Sequence, residues 1–189
     1  KMKRMILASG SPRRKELLQM LEVPFEVLVS DTKEVITKNE PAEVTKELSY
    51  QKAMAVAEQV EEGIIIGADT VVSIDGKILG KPADTEEARE MIYKLQGKSH
   101  MVYTGVTVIA KSGDMVSASS FAEGTKVNVA PMTENEIEAY ISTDEPYDKA
   151  GAYGIQGLFG KFIEGIKGDY FNVVGLPVHR LYEELKKFD

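Results

Sequence analysis

The chain is 189 residues long, 43% hydrophobic, and carries a formal charge of -7. It has no cysteine and only two histidines, His100 and His179, so disulfides, thiol chemistry and a zinc cage of several histidines are excluded. The acidic balance argues against a broad nucleic-acid or anionic-membrane surface, yet leaves room for a small basic pocket that takes one anion. No apolar run approaches the roughly 18 residues of a membrane helix. Residues 1–11 lack the long apolar core of a secretory signal, so a cytoplasmic protein is expected.

Residues 5–8 read as a short buried strand. Ser11-Pro12 then opens a helix, serine as N-cap and proline at the first helical position. Its apolar face is Leu17, Leu18 and Leu21. Residues 25–29 alternate as a second strand. Pro41 opens a long helix through about Gln59, with Leu48, Val56 and Val60 on one side. Residues 64–74 are the most apolar strand, and Asp75-Gly76 is a two-residue hairpin turn returning 77–80 beside it.

Asp84-Thr85 caps a helix that ends near Gly97. Residues 101–110 and 115–129 form another predicted hairpin, turning at Ser112-Gly113-Asp114. Thr133 with Glu136 makes a capping box for a helix to about Ser142. A glycine-rich stretch, 150–160, precedes a strand near 161–166. Pro177 opens a last amphipathic helix with Val178, Leu181, Leu185 and Phe188. Nothing marks a repeat or a linker, so residues 1–189 read as a single domain. Strands and helices in this order give an α/β (mixed α+β) fold with a mixed sheet.

Four segments carry chemistry. Ser9-Gly10-Ser11-Pro12-Arg13-Arg14 is a strand, a tight turn and a helix start, where open N–H groups favour an anion. Arginines in a first turn are opposed by the helix dipole, roughly 0.3–1 kcal/mol each, which a bound triphosphate would offset. Guanidinium groups match phosphate oxygens in pairs. Two solvated arginines on an ordinary helix start is the plain alternative.

Gly67-Ala68-Asp69-Thr70 puts a carboxylate inside an apolar strand, which is costly unless it is paired or metal-bound. Alternation sets Gly67 and Asp69 on one face, where glycine would leave space for a ligand. A buried lysine partner for Asp69 is the alternative. Counting back from the Asp75-Gly76 turn pairs Thr70 with Lys81, so Gly80-Lys81-Pro82 returns toward Asp69. That register puts Lys81 on the Thr70 face, so either the strand bulges or the site wraps around its end.

Three glycines in Asp148-Lys149-Ala150-Gly151-Ala152-Tyr153-Gly154-Ile155-Gln156-Gly157 suggest a backbone that turns or approaches something closely. The Gln156 amide complements the N3–H and a carbonyl of uracil or thymine. A plain flexible loop is the alternative. Glu34, Lys52 and Lys81 each read, taken singly, as solvated charges.

Together these segments resemble the Maf family of nucleotide pyrophosphatases, similar in fold to the inosine triphosphatases. The likeness rests on ASGSPRR at 8–14, GADTVV at 67–72, GKP at 80–82, DKAGAYGIQG at 148–157 and GDYFNVVGLP at 168–177. It implies an elongated sheet with flanking helices and two lobes around a cleft. Asp69 matches the proton acceptor. Ser9, Arg13, Arg14, Lys52 and Lys81 match phosphate-binding positions. Asp69 and Glu34 match the metal side, which implies a divalent cation, Mg²⁺ or Mn²⁺. Arg13, Thr70 and Gln156 match positions tied to substrate choice.

The DKAGAYGIQG form resembles the subgroup that cuts dTTP and UTP to monophosphate and pyrophosphate. Alternatives are the sister subgroup acting on 7-methyl-GTP, or a nucleotide-binding regulator of septum formation with little catalysis. The resemblance leaves a homodimer open and implies neither a nucleic-acid nor a membrane partner.

Overall fold

A computed structural model describes residues 3–189. Its frame is one seven-stranded mixed sheet. The strands are β1 (Met5–Leu7), β2 (Glu26–Val27), β3 (Glu62–Ile74), β4 (Lys77–Leu79), β5 (Ser99–Ser112), β6 (Met115–Val129) and β7 (Ile163–Lys167). The helices are α1 (Pro12–Leu18), α2 (Pro41–Ala57), α3 (Thr85–Leu95), α4 (Glu134–Ile141), α5 (Tyr170–Val174) and α6 (Val178–Leu185). The sheet runs β2-β1-β3-β5-β6-β7, with β4 added on β3. β1 lies parallel to β2 and β3, and the other pairings are antiparallel.

Local signals account for most of these elements. Ser11 Oγ accepts from the Arg14 backbone N–H, and Pro12 starts α1. Asp84 caps α3 through the Glu87 N–H. Thr133 and Glu136 form the reciprocal capping box of α4. Asp75 and Gly76 both have positive φ, 50° and 76°, the pair a tight hairpin turn requires. One expectation needs correction, and one short helix was not anticipated. The strand expected over 25–29 pairs only at Glu26–Val27, an exposed edge. The helix α5 is five residues long, too short to show a helical period.

Period-two alternation along β3 distributes the core. Ile64, Ile66 and Ala68 pack with Leu18, Val106, Leu176 and Leu181 beneath α1 and α6. Farther along the same face, Val72 and Ile74 pack with Ile92, Leu95, Ile141 and Phe159 beneath α3 and α4. Thr70 lies at the junction of these two lobes. On the opposite face Ile65 joins Ala53, Val56 and Ile109 under α2. Helix α2 therefore backs the whole junction.

β3 also has a break along one edge. β5 pairs with it from Glu62 to Ser73. On its other edge β1 pairs at Ile64–Ile66 and β4 at Val72–Ile74. Residues 67–71, the Gly-Ala-Asp-Thr-Val run, lie between those two pairings, and this gap is where the lobes part.

Candidate active site

A cleft of about 1110 Å³ opens at the gap. Ser9, Arg13, Arg14, Glu34, Lys52, Asp69, Thr70, Lys81 and Gln156 all line it. The fold therefore gathers every residue singled out in the sequence. β1 ends beside the gap and delivers Ser9, then α1 delivers Arg13 and Arg14. Pairing of β4 with β3 stops at Val72 and Leu79, so Gly80-Lys81 leaves the sheet beside the opening. The register conflict over Lys81 is thereby resolved. The site wraps around an open strand edge and draws on both faces of β3.

Asp69 occupies the α2 face and is buried. Its Oδ1 accepts from Lys52 Nζ at 2.8 Å. Its Oδ2 is buried without a hydrogen-bond partner. Burial pushes this carboxyl above the ordinary carboxylate range. Lys52 and then Arg14 oppose that rise, and Glu34 adds to it. The alternative of a lysine partner for Asp69 is thus half realised: one oxygen is paired and the other is left over.

The expectation for Gly67 needs correction. A Cβ there would lie 2.5 Å from the Ser49 carbonyl oxygen and 2.9 Å from Ala53 Cβ. The missing side chain makes room for helix α2, not for a ligand. Gly105, the β5 partner of Asp69, does the same against the Thr45 carbonyl. These two close approaches bring α2 near enough for Lys52 to reach Asp69. Ser49 Oγ and Thr107 Oγ1, 2.8 Å apart, pin the same contact.

Arg14 works on the other face. Its Nε donates to the Gly175 carbonyl at 2.8 Å, its Nη1 to Ser9 Oγ at 3.2 Å and its Nη2 to Thr70 Oγ1 at 2.9 Å. Burial lowers its pKa from the ordinary arginine value, Asp69 counteracts that, and Arg13 adds to it. The cap on α1 takes up the Arg14 N–H, so side chains rather than the helix end supply most donors here. The cost of two arginines in one turn is met partly by these oxygens of the protein itself.

The loop after α4 forms the third wall. It is a run of short 3₁₀ turns tied at several points. Gly151 N–H donates to the Gly80 carbonyl at 3.1 Å, and Gly151 itself lies against Val72. Tyr140 Oη donates to the Ala152 carbonyl at 2.7 Å. Tyr153 Oη is 2.5 Å from His100 Nε2. Glu145 accepts from Leu158 N–H at 2.8 and 2.9 Å. Exposed Gln156 projects from this anchored base, which is a poor match for a plain flexible loop.

Among the described residues no three His, Asp or Glu side chains gather as a metal cage. Two carboxylates do converge: Glu34 Oε1 lies 3.6 Å from the Lys52 ammonium that holds Asp69. A hard cation shared with phosphate oxygens needs only one or two protein carboxylates. The unpartnered Asp69 Oδ2 and the Glu34 carboxylate fit that donor set.

Gly175 lines the cleft, and Thr104 and Asn172 are buried behind Thr70; none of the three stands out in the sequence. Thr104 lies opposite Thr70 in the β5 register. Asn172 and Gly175 lie in and just after α5, inside the GDYFNVVGLP signature whose role its letters alone do not reveal. A threonine in an apolar strand was the available signal for Thr104, but its pairing partner emerges only from the sheet.

Residues 4–188 match the family model described as Maf-like protein. A Bacillus cytotoxicus protein named dTTP/UTP pyrophosphatase is 54% identical over 100% of this chain and 97% of its own length. A Bacillus cereus protein of the same name is 50% identical over the same shares. Among solved structures, the Staphylococcus aureus Ham1 protein superimposes with a TM-score of 0.55 at 13% identity, covering 99% of this chain and 100% of that one. That likeness concerns the fold, and it is the inosine triphosphatase-like architecture expected from the sequence. Among the described residues no helix is long and apolar enough to cross a membrane. With relatives at half identity along its entire length and the family model spanning nearly all of it, the chain belongs to the Maf family.

Proposed function

We propose that this chain, acting as one domain over residues 1–189, hydrolyses dTTP and UTP to the monophosphate and pyrophosphate. The observation that carries the reading is Asp69 Oδ2, a buried carboxylate oxygen without a partner on the wall of a cation-lined cleft. A polyphosphate is the ligand whose charge those cations complement. The names of the Bacillus relatives point to the same substrates.

The residues divide the work. Arg13, Arg14, Lys52 and Lys81 neutralise the triphosphate, and Ser9 adds a hydroxyl. Lys52 holds Asp69 Oδ1, which leaves Oδ2 without a partner in the protein. The water oxygen bonds to the α-phosphorus, its proton passes to the Asp69 carboxylate, and the bond to the bridging oxygen breaks to release pyrophosphate. Burial keeps Asp69 more basic than an exposed carboxylate, which favours that transfer. Asp69 and Glu34 would hold Mg²⁺ or Mn²⁺, which when bound offsets charge on the polyphosphate. Arg13, Thr70 and Gln156 set substrate choice, with Gln156 reading the pyrimidine edge. Every group named lies within one chain, so the chemistry needs no partner subunit. A cytoplasmic location suits substrates of this kind.

The test is pyrophosphate release from a panel of canonical triphosphates and 7-methyl-GTP, with Mg²⁺ and Mn²⁺ compared. Preference for dTTP and UTP is expected. A preference for 7-methyl-GTP would overturn the substrate assignment. Tight nucleotide binding without release would favour a sensor over an enzyme.

A further inference from the structure

Behind Arg14 runs a chain of hydroxyls whose direction is fixed from both ends. Arg14 Nη2 contacts Thr70 Oγ1 at 2.9 Å, Thr70 Oγ1 contacts Thr104 Oγ1 at 2.8 Å, and Thr104 Oγ1 contacts the Asn172 carbonyl at 3.0 Å. A guanidinium can only donate and a carbonyl can only accept. Thr104 must therefore give its proton to Asn172, and Thr70 must give its own to Thr104. What remains for Thr70 is to accept from Arg14. Thr104 and Asn172 are fully buried. The Asn172 amide is tied in turn, donating to the Val102 carbonyl at 3.1 Å and to Thr125 Oγ1 at 2.9 Å.

Ser9 makes the contrast. Its Oγ accepts twice, from the Ser11 N–H at 3.3 Å and from Arg14 Nη1 at 3.2 Å. Its own proton stays available to a phosphate oxygen. The proton of Thr70 does not. With three of the five N–H groups of Arg14 donated to Gly175, Ser9 and Thr70, two remain for a ligand.

We infer that Thr104 is a positioning residue for phosphate binding, setting the guanidinium of Arg14 through Thr70. Thr70 then acts on a phosphate through Arg14 and not by donating to it. This rests on the triphosphate reading of the cleft.

The experiment measures two quantities on full-length Thr104→Val, Thr104→Ser, Thr70→Val and the Thr70→Val/Thr104→Val pair. One is the Kd for a UTP analogue whose α,β-bridging oxygen is replaced by methylene, which needs no turnover. The other is the split between KM and kcat for UTP. Thr104→Val should raise Kd and KM by about tenfold with kcat little changed, the pattern of lost uniform binding. Thr104→Ser keeps the hydroxyl and should bind like the parent. The double variant should be no worse than either single, because one chain is cut once. Should Thr104→Val fail to fold, Thr70→Val severs the same chain beside Arg14 and must weaken binding alike.

Equal Kd for Thr104→Val and the parent, or additive losses in the double variant, would overturn the relay and leave the pyrophosphatase reading intact. Binding that depends on the Thr104 hydroxyl in a parent that releases no pyrophosphate would do the reverse. A parent that does not bind the analogue would sink both.

Discussion

Asp69 and Thr70 are neighbours on one strand and face opposite ways. On the Asp69 side the protein leaves an accounting gap: Lys52 satisfies one carboxylate oxygen and the other is buried alone. On the Thr70 side the hydroxyls and the guanidinium beside them are partnered, from Arg14 through to the Asn172 carbonyl. The first arrangement costs free energy in the empty protein, because an unsatisfied buried polar atom is expensive. The second holds geometry at little cost. The strand thus leaves an unmet acceptor on the proposed base, and a continuous run of partnered hydroxyls behind the proposed phosphate-binding cation.

The sharpest break in that comparison is Asp69→Asn. An amide cannot take a proton from water, and general-base loss is typically worth about 100-fold or more, so turnover should fall by at least that. Stability should move the other way. Burial raises the carboxyl's pKa in the folded state. The folded protein therefore holds a proton over a window where the unfolded chain has released it. That contribution is present below the unfolded value and is lost as pH rises through the elevated one. Asparagine copies the protonated form, and Lys52 keeps Glu34 as a neighbour. Urea midpoints at neutral pH should be at or above those of the parent, with the slope across that window removed. A variant with near-parental pyrophosphate release would refute the assignment of Asp69.

His100 extends the contrast to a buried group of opposite sign. Its Nδ1 is also buried without a partner, and burial pulls its pKa down to about 4 from 6.5. It is carried neutral in the fold. Its contribution is complete above about pH 6.5 and drains away as pH falls toward 4, on the order of 3 kcal/mol. His100→Gln should flatten the acid limb of stability measured by urea unfolding at a series of pH values. An unchanged acid limb would assign that limb to other groups.

Gly105→Ala tests the backing of the Asp69 side. The added methyl would enter the space of the Thr45 carbonyl, so α2 must shift or the strand must yield. A cost of about 2–3 kcal/mol is expected, roughly 4–12 °C in Tm for a domain of this size. Because Lys52 rides on α2, kcat should fall as well. Loss of Tm with kcat intact would show that Lys52 reaches Asp69 without that close packing.

Legibility in the sequence followed how local each cause was. Caps and turns are decided within four residues, and Ser11, Asp84, Thr133 and Asp75-Gly76 all sit where their chemistry put them. The β5–β6 hairpin is marked by its turn at Ser112-Gly113-Asp114. The meaning of Gly67 is not local, because it depends on Ser49 and Ala53 of a helix many residues away. Lys52 and Glu34 looked like solvated charges because each is unremarkable until α2 crosses β3. The face of Lys81 does not follow from the register counted back from the turn, because pairing ends before it. The open edge of β3 is made by two short strands that stop on either side of it, which no single segment can disclose.

Gln156→Ala carries the smallest expected effect and examines the rim, away from both faces of β3. Gln156 is exposed, and the loop beneath it is held by Tyr140, His100 and Glu145 rather than by the glutamine itself. Truncation should leave stability unchanged within about 0.5 kcal/mol, as surface substitutions do. It should remove the amide's pairing with the base edge, about 1 kcal/mol net at an exposed site, or roughly fivefold in kcat/KM for UTP and dTTP relative to other triphosphates. Rates that fall equally across the panel would mean that Gln156 supports the loop and does not read the base. Discrimination would then come from the shape of the pocket alone, and the pyrimidine preference would have to be sought around Arg13 instead.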